Sequence, residues 1–164
     1  MSVMPMISKR LPQHHTLLVV AAGLVAAAIY AFGLDGRWMF DDEFTLKGLA
    51  QVADLATAAE FVFSGGTGPS GRSLALASFL INVSDWPDDP GAFRVVNVAL
   101  HLINATLFYS LVYLLARQAN QGRAREIALT AGTLWLLSPL LASSVLSVVQ
   151  RMTLLAATCT VAGL

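Results

Sequence analysis

Apolar runs without charge alternate with short polar segments along the chain, and this pattern sets its elements. Thr16 to Leu34, Val95 to Ala116 and Ile127 to Gln150 contain no Asp, Glu, Lys or Arg. A helix needs about 20 mostly apolar residues to cross a bilayer. Backbone groups in lipid must be satisfied inside the segment, so the windows predict spanning helices at about 16–34, 93–116 and 126–142. Pro139 ends or kinks the third. Another apolar run starts at Met152 and reaches Leu164 without a closing polar flank. It predicts a truncated fourth span (152–164 onward), and hence the N-terminal part of a larger polytopic protein forming one transmembrane domain over 1–164. Lys9 and Arg10 precede the first window. Its apolar core is longer than the roughly 7–15 residues of a signal peptide and lacks a good cleavage pattern, so an uncleaved anchor is expected.

Residues 35–92 have another rhythm. Phe44, Leu46, Leu49, Val52, Leu55, Ala59, Val62 and Phe63 recur at helical spacing, with Lys47, Gln51, Asp54 and Glu60 between them. This predicts an amphipathic helix over 44–63. The Gly-rich stretch Ser64 to Gly71 breaks it, Arg72 to Val83 is a second short helical run, and Trp86 to Gly91 leads into the second span. Two such juxtamembrane helices lie along a membrane surface or pack against the ends of the spans.

Composition agrees with the bilayer. Hydrophobic residues make up 56% and charged residues 12%, about half the share of a soluble domain; mean hydropathy is +0.67. The formal net charge of zero conceals segregation: the long loop holds nine of the ten acids against Arg37, Lys47 and Arg72. Arg117, Arg123 and Arg125 sit in the short link between the second and third spans. Basic flanks stay cytoplasmic, which predicts a cytoplasmic N-terminus and an outer loop over 35–92. The lone Cys159 has no intrachain disulfide partner and reads as a small apolar residue. Asn82-Val83-Ser84 fits a glycosylation sequon, a triplet common by chance. The chain shows no zinc spacing, phosphate loop or serine-triad signature, and no basic patch for nucleic acid.

The ordered elements resemble the GT-C class of membrane glycosyltransferases. Local text carries the resemblance further: Trp38-Met39-Phe40-Asp41-Asp42, Gly71-Arg72-Ser73-Leu74, Arg94 to Asn104, Leu137-Ser138-Pro139 and Gln150-Arg151-Met152. These are similar to the membrane domains of GT-C-like proteins that carry tetratricopeptide repeats, whose eukaryotic relatives are O-mannosyltransferases. Two positions depart from that pattern: Ser73, where proline is expected, and Ser138, where histidine is expected.

The resemblance implies an all-α, GT-C-like helical bundle that transfers sugar from a polyprenyl-phosphate-linked donor to a protein or glycan acceptor outside a bacterial inner membrane. Asp41 and Asp42, just beyond the first span, match the acidic position that serves as catalytic base or helps hold a divalent metal (Mg or Mn). Asp42 is preferred, because adjacent acids seldom both face a cleft. The plainer role of these acids is to keep the loop solvated. Arg72, Arg94 and Arg151 are candidates for the donor phosphate; the plainer role of Arg151 is a snorkelling anchor. Arg94, Asn97, His101 and Asn104 form one polar stripe at i, i+3, i+7 and i+10. Such residues face a bundle interior. Interhelical hydrogen bonding suits Asn97 and Asn104, while His101 is also a candidate for lining the donor pocket. The alternative function is a non-catalytic GT-C-like scaffold anchoring a C-terminal repeat domain for protein–protein interaction. A small transporter fits less well, since the spans lack acids for ion coupling.

Overall fold

The structure is a computed structural model that describes residues 13–39, 41–64 and 72–164. The basic pair Lys9 and Arg10 and most of the predicted break at 64–71 lie outside them. All regular elements among the described residues are helical. They are α1 (Gln13–Leu34), α2 (Asp42–Leu46), α3 (Leu55–Ser64), α4 (Ser73–Phe79), α5 (Pro90–Gln118), α6 (Ala124–Leu136), α7 (Ala142–Leu146) and α8 (Arg151–Gly163), with 3-10 turns at Lys47–Gln51, Leu80–Asp85 and Pro139–Leu141.

Two helices, α1 and α5, are long and apolar enough to cross a membrane. The predicted third span is instead a bent pair. α6 and the segment Pro139–Leu146 meet at 44°, and together they are long and apolar enough for a broken span or a re-entrant loop. Pro139 has no N–H to continue the ladder, and Ser138 before it is held extended with ψ 118°.

Local chemistry sets the ends of α5. The Asp89 carboxylate accepts the Ala92 N–H at 3.1 Å, and Pro90 starts the helix. At the other end Asn120 adopts φ 54° and the Gln121 N–H bonds back to the Ala116 carbonyl at 3.0 Å, a Schellman stop.

The bundle core uses small residues. Ala22, Ala26 and Tyr30 of α1 pack with Ala105, Leu136, Val145 and Leu154. Small side chains let helices approach closely where lipid removes the hydrophobic drive. The other side of α1 leaves Leu17, Leu24, Ile29 and Phe32 exposed, Phe32 at 92%, as a lipid-facing surface requires.

A second core lies under the long loop. Leu46, Leu49, Phe61, Val62, Leu76 and Phe79 bury against Phe93 and Val148. The expected 44–63 helix is three pieces, because the chain extends at Val52 (ψ 105°) and restarts at Asp54. The Asp54 side chain accepts the Thr57 N–H at 2.9 Å and caps α3. These bonds hold the Asp54 carboxyl below the usual carboxylate range.

Candidate functional site

All three helix-flanking arginines named from the sequence line the region where the loop core meets the bundle, and two of them are spent on structure. Arg94, near the start of α5, is buried. Its Nε donates to the Leu146 carbonyl at 2.9 Å and its Nη1 to the Leu34 carbonyl at 2.9 Å. The same guanidinium donates to the carbonyls of Gly36 and Arg37. It therefore caps the C-terminal end of α1, where unpaired carbonyls attract a cation. A Cβ on Gly36 would sit 3.0 Å from Arg94 Nη1, so a larger residue there would have to push the guanidinium aside by a few tenths of an ångström.

Arg151 opens α8 and is fully buried. Its Nε donates to Asn97 Oδ1 at 2.9 Å, Nη1 to the Ser78 carbonyl at 2.9 Å, and Nη2 to Asn82 Oδ1 at 3.1 Å and the Phe93 carbonyl at 2.9 Å. The guanidinium lies over the Phe79 ring, 4.4 Å from its centroid. Four acceptors from α4, the following turn and α5 thus hold the cation away from solvent.

The polar stripe of α5 continues this brace. Asn97 Nδ2 donates to the Ser147 carbonyl at 3.0 Å. Asn104 Nδ2 donates to the Leu154 carbonyl at 2.9 Å and its Oδ1 accepts from Thr158 at 2.7 Å. His101 Nε2 donates to the Leu136 carbonyl at 3.1 Å, which fixes its tautomer, and its ring meets Tyr30 edge-on at 5.4 Å. His101 lines none of the clefts described below.

The adjacent acids have opposite fates. Asp42 is fully buried. Its Oδ2 accepts the Met39 N–H at 3.0 Å and its Oδ1 the Val149 N–H at 2.9 Å, tying the chain after α1 to the α7–α8 turn. Asp41 is exposed at the head of α2, and its carboxylate accepts no hydrogen bond from a described residue. The accessible acid is therefore Asp41, the reverse of the sequence preference. Asp42 does not fit as a metal ligand, since both oxygens are buried on backbone donors. Among the described residues no three His, Cys, Asp or Glu side chains cluster to hold a metal ion.

Arg72 is the candidate cation left accessible. It is half-buried at the head of α4. It stands at a groove of about 420 Å³ whose other walls are Leu74, Ala75, Met152, Thr153, Leu155, Ala156 and Cys159. Arg72 thus shares the groove with Met152, Leu155, Ala156 and Cys159, which recur at helical spacing along α8. Met152 is three residues beyond Val149, so the Asp42 bond links the Asp41 turn to this groove's helix.

Two further clefts were not foreseen from the sequence. One, of about 640 Å³, is lined by Trp38, Glu43, Phe44, Lys47, Trp86 and Pro87. The other, of about 340 Å³, lies between α1, α5 and α6 among small residues such as Ala22, Gly23, Ala105 and Gly132. No family model, characterised protein or solved structure matches the chain.

Proposed function

We propose that this chain serves a GT-C-like membrane glycosyltransferase activity that moves a sugar from a polyprenyl-phosphate-linked donor to an acceptor hydroxyl. The observation that carries the reading is the Arg72 groove. A lipid phosphate needs a cation for its head and an apolar track for its tail, and Arg72 lines this groove together with apolar residues of α4 and α8. The acceptor oxygen would attack the anomeric carbon and form the new C–O bond. The bond from that carbon to the phosphate oxygen would break. Asp41 would take the hydroxyl proton, and Arg72 would hold the phosphate oxyanion that leaves. No step is assigned to a metal.

Charge segregation supports the orientation: residues 35–92 outside, periplasmic in a bacterial inner membrane, and residues 117–126 inside. In that arrangement α6 with α7 makes a third, broken span, and α8 begins a fourth. Cysteine at Asp88, with Cys159 replaced by serine, should react with an impermeant thiol reagent in intact cells, whereas cysteine at Gln121 should not. Both sites are exposed. The reversed labelling would place the acids in the wrong compartment and remove the reading.

Arg72→Ala in the full-length protein should lower kcat/KM for the lipid donor about 10²-fold or more, with Arg72→Lys intermediate because the charge survives without the fork. Thermal stability should stay near parental, since the Arg72 side chain makes no cap bond. Parental transfer by Arg72→Ala would remove the phosphate role.

The alternative is a scaffold that anchors a repeat domain. The buried braces Asp42, Arg94 and Arg151 would serve that platform and a catalytic one equally.

A further inference from the structure

We infer that the Trp38–Trp86 cleft is a saccharide-binding site that takes a neutral pyranose. Trp38 is a fixed wall. Its Nε1 donates to the Pro87 carbonyl at 2.8 Å, and its ring meets Trp86 at 4.8 Å and Phe93 at 5.3 Å, both edge-on. Trp86 is half-buried, and no described residue accepts its indole N–H. A rigid aromatic wall costs little entropy on binding.

The same cleft is lined by Glu43 and Lys47, four residues apart and both exposed. They do not pair: among the described residues the ion pair is Arg123–Glu126. Lys47 Nζ instead sits 4.6 Å from the centroid of the Phe44 ring. The cleft thus joins aromatic surface to one free acceptor and one free donor, with no net charge.

That chemistry selects the ligand. An aromatic face is negative and suits the weakly positive C–H face of a sugar ring, while ring hydroxyls need both acceptors and donors. A quaternary ammonium would meet Lys47, which already covers the Phe44 face. An anion would meet Glu43. A purely apolar segment would desolvate both charges without partners. The inference goes beyond the transfer reading, because a scaffold would bind sugar here equally well. If transfer does occur, Glu43 lies two residues from Asp41 in the sequence.

The test is binding, without turnover. Full-length protein in nanodiscs is titrated with methyl hexopyranosides and short oligosaccharides, with choline as a control, and indole fluorescence is followed. A saturable change is expected for a glycoside and not for choline. Glu43→Gln should weaken it about tenfold, the worth of one charge-assisted hydrogen bond. Phe44→Ala should weaken it too, without unfolding the protein, because Phe44 is 61% exposed. Absence of saturation with every glycoside, stronger binding of choline, or parental affinity in both variants would each overturn the assignment and leave the indoles as interfacial anchors.

Discussion

Arg151→Ala should lower the stability of the folded protein by about 3–5 kcal/mol. The side chain is fully buried, and its loss leaves Asn97 Oδ1, Asn82 Oδ1 and the carbonyls of Ser78 and Phe93 without their donor. The two asparagine oxygens left buried and unpaired each cost about 1–3 kcal/mol, and relaxation recovers part of that. The guanidinium also fills the space over Phe79. Arg151→Lys should rescue little: an ammonium has three donors around one point, whereas these four acceptors lie around a planar fork. Thermal unfolding in detergent, together with the yield of inserted protein, measures this. An Arg151→Ala protein that melts like the parent but loses the lipid donor would show that Arg151 serves the ligand and not the fold.

Asp41→Asn and Asp42→Asn should separate activity from stability. Asparagine cannot take the acceptor's proton, so Asp41→Asn should reduce transfer by about 10²–10⁴-fold, the usual contribution of a general base. Its melting temperature should not move, because Asp41 is exposed and makes no side-chain cap bond. Asp42→Asn should destabilise by about 1–3 kcal/mol. One of its two oxygens becomes an NH2 facing a backbone N–H, at either Met39 or Val149. Parental transfer by Asp41→Asn, measured beside an unaltered melting curve, would remove Asp41 from the chemistry.

The long spans were legible because length and absence of charge suffice to define them. The stripe on α5 was legible for the same reason: Arg94, Asn97, His101 and Asn104 share a face that lipid would not tolerate. Their partners were not legible. They are mostly backbone carbonyls, and the Leu146, Ser147 and Val148 carbonyls accept these bonds because the chain turns between α7 and α8. No side-chain pattern marks such a group. The break at Ser138-Pro139 could be read from proline, but the restart at Asp54 was hidden under a helical rhythm that the Val52 turn interrupts. Asp41 and Asp42 look equivalent in one dimension. The phase of α2 separates them, turning one to solvent and the other into the α7–α8 turn. The Trp38–Trp86 cleft joins positions on either side of the whole loop, a distance that no local reading spans.

Sugar transfer itself is the most direct test of the central claim. Full-length protein in liposomes is given polyprenyl-phosphate-linked hexoses labelled in the sugar, with peptide and glycan acceptors outside, and movement of label from lipid to acceptor is followed. The account predicts transfer from at least one such donor, with free polyprenyl phosphate released in equal amount, and its loss in Asp41→Asn and Arg72→Ala. Absence of transfer from every donor by a parent protein that is folded, inserted and correctly oriented would contradict the account and leave the buried arginine brace as the frame of a scaffold.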